Sequence, residues 1–173
     1  MKRDSKDPYP NLRELIKYHP YHIGTFANFA NVELDLLEAA LIGEEELTAA
    51  ELWRIANYAG VPYGVLACPS IILLDAQRPK HRRLLEGIIG SLGPIFAALD
   101  AGSPAAEDFI LTFPRLYYSQ VIDIWGDFSA GKPVSYCRYL GVRAKLDMCL
   151  TNIALERPKK RKRRRAESAA PQE

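Results

Sequence analysis

The sequence predicts an all-α protein, and three observations carry that expectation. Apolar residues recur three and four positions apart along most of the chain, the two-residue alternation of a half-buried strand is scarce, and capping residues, glycines and prolines punctuate the apolar runs at helix-like intervals. With 173 residues, 48% of them hydrophobic and 25% charged, the chain can bury one sizeable core or two small ones.

Residues 1–10 form a polar, proline-punctuated arm. The first helix follows in "NLRELIKYH", with Leu12, Leu15 and Ile16 at helical spacing, Asn11 as its cap and Pro20 as its stop. "IGTFANFAN" gives a second short helix and "VELDLLEAALI" a third. The third ends near Ile42, before Gly43, because glycine takes positive φ without strain. In "LTAAELWRIANYAG", Thr48 and Glu51 have the spacing of a reciprocal capping box, Leu52, Ile55, Ala56 and Ala59 share one face, and Gly60 ends the fourth helix. "VPYGVL" begins a fifth segment with Pro62 at its first position. Five short helices thus fit between residues 11 and 68, within a domain expected over 11–74.

From residue 75 to 156 the apolar segments lengthen, with interruptions at Gly93-Pro94 and Pro114, and three or four helices are expected. Leu84, Leu85, Ile88, Ile89, Leu92, Ile95 and Phe96 present more apolar surface than one short helix hides, which suggests a homodimer contact in this region. Beyond it, residues 157–173 have no apolar face to bury and are expected to be a disordered basic tail.

Charge divides the chain. Residues 1–156 hold 15 Lys and Arg against 19 Asp and Glu, whereas residues 157–173 hold 8 against 2. The seven consecutive bases Lys159, Lys160, Arg161, Lys162, Arg163, Arg164 and Arg165 suit a polyanion, since a run of like charge repels itself until one neutralises it. The run also resembles a nuclear-localisation signal, a reading that matters only in a eukaryotic source. Three widely spaced cysteines and a start without the apolar stretch of a secretory signal point to a reducing cytoplasm. The longest apolar runs fall well short of the roughly 20 residues of a membrane helix, so no membrane partner is expected.

Register now adds a resemblance. Phe26 and Ala27 stand as a helix-two pair, Val32 lies five residues after Ala27, and Leu37 and Ala40 take the inward positions of helix three. Gly43 closes that helix, and "RIANYAGVPYGVL" places Ile55, Ala56, Gly60, Val61 and Leu66 in order. In this register residues from about 12 to 66, within the domain expected over 11–74, resemble the Xre, or lambda-repressor-like, helix-turn-helix family. The resemblance implies a five-helix domain whose second and third helices read DNA, transcriptional regulation as the function, and two-fold dimers on paired half-sites.

The departures from that family fall where DNA would lie. The outer positions of helix three carry Glu33, Leu34, Asp35, Leu36 and Glu38, and Glu44, Glu45 and Glu46 follow; between Glu33 and Glu51 there are seven acids and no base. Such a face repels phosphate and offers no bidentate donor to guanine. Three outcomes are open. DNA is held elsewhere, by the basic run, the N-terminal "MKRDSK" and "RPKHRR" at 78–83; or helix three docks a protein through Leu34 and Leu36 rimmed by acids; or both leucines pack against the C-terminal half.

Catalytic and cofactor chemistry find no foothold in the sequence. "GDFSAGKP" imitates a phosphate-binding loop through Gly126, Gly131 and Lys132, but it puts Pro133 where Ser or Thr must ligate magnesium and it follows a helical pattern, so it is expected to be a turn. His19, His22 and His81 lack partners at metal spacing, as do Cys137 and Cys149. Gly87, Gly90 and Gly93 recur every third residue and suit either close helix approach or an irregular segment. The aromatics Phe109, Phe113, Tyr117, Tyr118 and Trp125 are expected in helix packing. No enzyme, cofactor or metal is therefore expected.

Overall fold

A computed structural model of the chain describes residues 7–112 and 114–167 and, of their side chains, those of 7–110 and 119–156. The protein is all-α apart from one small ribbon. The N-terminal half contains α1 (Pro10–Tyr18), α2 (Ile23–Ala30), α3 (Leu34–Leu41), α4 (Ala49–Ala59) and α5 (Tyr63–Leu66). After strand β1 (Leu73–Leu74) come α6 (Pro79–Gly90), α7 (Leu92–Asp100), α8 (Pro104–Glu107), a π-helical turn (Asp108–Thr112), α9 (Pro114–Ser129), strand β2 (Val134–Ser135) and α10 (Tyr136–Glu167). The two strands pair antiparallel, Leu73 opposite Ser135 and Leu74 opposite Val134.

Local signals explain most boundaries. The Thr48 hydroxyl accepts from the Glu51 N–H at 3.3 Å while the Glu51 carboxylate accepts from the Thr48 N–H at 2.7 Å, and Gly60 ends α4 at φ 67°. Proline opens α1, α6 and α8, where no N–H is needed. Arginines close two helices from a distance: the Arg13 guanidinium donates to the Leu41 carbonyl at the end of α3, and Arg54 Nε to the Ala30 carbonyl at the end of α2, at 2.8 Å.

Four local expectations are corrected. Asn11 does not cap α1, because Pro10 already occupies the first helical position. It is instead fully buried, donates to the carbonyls of Cys68 and Ser70 at 3.1 and 2.8 Å, and accepts from the Ile72 N–H at 2.9 Å, so it pins the chain leaving α5. Pro62 precedes α5 rather than opening it. Gly93-Pro94 interrupts nothing: the break is at Ser91, and Pro94 lies in the first turn of α7, whose N–H groups have no partner within the helix. Finally, α10 runs to Glu167, so the backbone of Lys159–Arg165 is helical where a tail without structure was expected. Lys, Arg and Ala favour helix, and cations suit its C-terminal end. The side chains of that run lie outside the described residues.

Two apolar clusters fill the interior. The first gathers Leu12, Leu15, Phe26, Leu37, Ile55 and Leu66, with Cys137 of α10 completing it. The second gathers Leu85, Ile88, Ile95, Val121, Ile124 and Leu146. Leu140 packs against both, so the start of α10 seals the N-terminal cluster while the rest of its described length lines the other. The crossing is close: a Cβ on Gly141 would lie 2.7 Å from the Tyr18 carbonyl carbon and 2.8 Å from the His19 nitrogen. Leu85, Ile88, Leu92 and Ile95, which suggested a dimer contact, are buried in the chain's own core, leaving Leu84 and Phe96 exposed.

Candidate functional site

The segment from α2 to α3 is built from the inside out. Phe26, Ala27 and Ala30 of α2 and Leu37, Ala40 and Leu41 of α3 are buried. Residues 31–33 join the helices, and Asn31 takes the left-handed conformation at φ 56° and ψ 48°, a region where asparagine is tolerated. The Val32 N–H donates back to the Ala27 carbonyl at 3.1 Å, which ties the turn to the residue five before it. One face of α3 is thereby committed to the core and the other left outward.

That outer face is open. Glu33, Asp35 and Glu38 are exposed, Leu34 is 39% exposed, and Leu36 is half-buried. Helix α3 rests on α1 and α2. Glu44, Glu45 and Glu46 are exposed beyond its end, next to Ile42 at 59%. Part of the acidity serves the helix itself, since Glu33 precedes the first turn and Asp35 lies within it, near the positive end of the helix dipole. Those carboxylates also occupy the electrostatic position that a phosphate would otherwise take.

Beside this face lies an open cleft of about 730 Å³ between the start of α2 and the start of α3. Its polar lining includes His22, Thr25, Asn28 and Asn31, with Glu33 at one edge. In the sequence these neutral hydrogen-bonding groups carry no charge or spacing that singles them out. Asparagine side chains present donor and acceptor together, the pattern that pairs with an adenine edge. Flanking the cleft's helix, Tyr21, Phe29 and Tyr58 form a partly exposed ladder: the Phe29 and Tyr58 rings stack at 4.9 Å, and Tyr21 meets Phe29 edge-on at 5.6 Å.

The remaining singled-out residues are dispersed. Arg78, Lys80, Arg82 and Arg83 are exposed at the start of α6. In "GDFSAGKP", Gly126 to Ser129 end α9 and Ala130 to Pro133 form the turn after it, with the Lys132 N–H donating to the Asp127 carbonyl at 2.8 Å. Burial pushes the Cys137 thiol up to about 12 and the Cys149 thiol up to about 11, so both are protonated at neutral pH. Burial, reinforced by the Lys145 charge, pulls the His19 imidazole down to about 4. Among the described residues no cluster of three or more His, Cys, Asp or Glu is placed to hold a metal, and no helix is long and apolar enough to cross a membrane. The side chains of Phe113, Tyr117 and Tyr118, like those of Lys159 to Arg165, lie outside the described residues.

Comparison with known proteins leaves the geometry to speak for itself: no protein-family model, no curated protein and no solved structure matches the chain.

Proposed function

We propose that the protein is a DNA-binding transcriptional regulator of helix-turn-helix type, acting in the cytoplasm, with its phosphate contacts supplied by the basic run Lys159–Arg165. The observation that carries this reading is the α2–α3 pair, which buries Phe26, Ala27, Leu37 and Ala40 around a left-handed Asn31 and leaves one face of α3 and a polar cleft outward. The division of labour follows from charge. Acids on α3 cannot hold a phosphate backbone, whereas seven adjacent bases can, and phosphate contacts position a protein without choosing a sequence. Sequence choice then falls to the neutral groups Thr25, Asn28 and Asn31.

The test is a fluorescence-anisotropy titration of the full chain on mixed-sequence duplexes at two salt concentrations. Binding that weakens steeply with salt is expected. Absence of binding at low salt would contradict the proposal in favour of a second reading, a non-enzymatic interaction module on a helix-turn-helix fold. The exposure of Leu34 and Ile42 within a ring of acids favours that second reading, because such a face suits a basic, amphipathic protein segment.

A further inference from the structure

We infer that the cavity between the π-helical turn and α10 is a binding site for a small α-amino acid with an apolar side chain. Lys145, Met148, Cys149 and Asn152 stand three and four positions apart on α10 and so share one face of it, and Asp108 and Phe109 of the π-helical turn complete the lining. Such turns are rare and are found frequently at functional sites. The end of the cavity formed by α8 is held in place by the Glu156 carboxylate, which accepts from the Ser103 hydroxyl at 2.6 Å and from the Ala105 N–H at 2.9 Å. The walls are thus fixed before a ligand arrives.

The polar groups set the class of ligand. Lys145 is only 4% exposed, and its ammonium donates to the Gln120 amide oxygen at 2.6 Å, a neutral acceptor that satisfies a hydrogen and leaves the positive charge in place. Burial pulls the group down to about 8, so it is still protonated at neutral pH. At that low-dielectric end of the cavity a cation attracts a carboxylate more strongly than a surface lysine does. Asp108 and Asn152 are exposed at the mouth, where the carboxylate attracts an ammonium and the amide both donates and accepts. Phe109 and Cys149, buried, and Met148 supply apolar surface between the two ends. A carboxylate, an ammonium and a short apolar chain together meet all of these groups, whereas a phosphate or dicarboxylate would bring further negative charge towards Asp108. Size agrees. The cavity holds about 90 Å³, which at about 10–15 Å³ for each water-sized group admits roughly six to nine non-hydrogen atoms, the range from alanine to leucine. The inference does not depend on DNA binding.

Isothermal titration of the full chain with L-valine, isovalerate and isobutylamine tests it, since the second probe lacks valine's ammonium and the third its carboxylate. Valine should bind most tightly, isovalerate less so and isobutylamine least. Lys145→Met, which keeps the length of the side chain and removes its charge, should weaken valine by about tenfold or more, as loss of a hydrogen bond to a charged group does. Asp108→Asn, at an exposed position that does not hold the fold, should weaken valine by about twofold to fivefold and remove its advantage over isovalerate. A merely structural effect of that substitution would weaken both probes alike. Absence of valine binding at millimolar concentration would overturn the inference. So would isobutylamine binding as tightly as valine, valine binding indifferent to Lys145→Met, or an advantage over isovalerate that survives Asp108→Asn.

Discussion

Gly141 sets how closely α1 and α10 approach, and its neighbours there are backbone atoms that cannot swing aside. Gly141→Ala should therefore lower stability by roughly 1–3 kcal/mol, the usual effect of overpacking, despite alanine's better helix propensity. Gly87→Ala in α6, where a Cβ would meet nothing within 4 Å, should shift stability the other way by up to about 1 kcal/mol. Urea denaturation of the two variants reads the opposite signs. His19 sits at the same crossing, with its ring 4.6 Å from Tyr21 and 5.3 Å from Phe26. Its imidazole is lowered to about 4 from 6.5, so between those values the unfolded chain binds the proton and the folded one does not. Stability should be intact above pH 6.5 and decline as pH falls towards 4. Denaturation at neutral and mildly acidic pH should show a decline that His19→Gln reduces; an unchanged decline would remove His19 as its cause. Neither Gly141 nor Asn11 was legible in the sequence. The contacts of Asn11 are with residues 68–72, and local spacing carries no record of partners so distant.

At the scale of elements, the sequence was legible where a helix carries its own punctuation. Thr48, Glu51 and Gly60 bound α4 by interactions within a few residues, so reading them needs no knowledge of the fold. Pro94 misled because a proline in a first turn and a proline that ends a helix look alike until the preceding break is placed. The β1–β2 ribbon escaped notice because each strand is two residues long and its partner lies across the intervening helices. Helix α3 was legible as a helix but not as an open face, since burial depends on what the C-terminal half covers. Its exposure gives a contrast to test. Leu34→Lys should change stability within about 0.5 kcal/mol, as exposed substitutions do. Leu37→Lys, at a fully buried position, should cost several kcal/mol or prevent folding. Thermal melts decide it, and a large loss from Leu34→Lys would mean that something covers the face.

Across the whole molecule, the acids of α3 and the basic run at the end of α10 belong to separate elements. The acidic face belongs to α3, and the basic run begins at Lys159, about 27 Å further along α10 than Gly141. The sequence already held this polarity in its composition, but only the fold shows that the two charged regions sit on separate elements. If DNA is held by the basic run, affinity and its salt dependence should both reside there, with each neutralised phosphate adding about 0.9 to the slope of log affinity against log salt. The most direct measurement compares the wild type with a variant carrying Gln at all seven positions from Lys159 to Arg165, titrated onto one labelled duplex at two salt concentrations. The account predicts severe weakening and a flatter slope for the variant, with the thermal melt of the body unchanged. Equal affinities and equal slopes for the two proteins would contradict it.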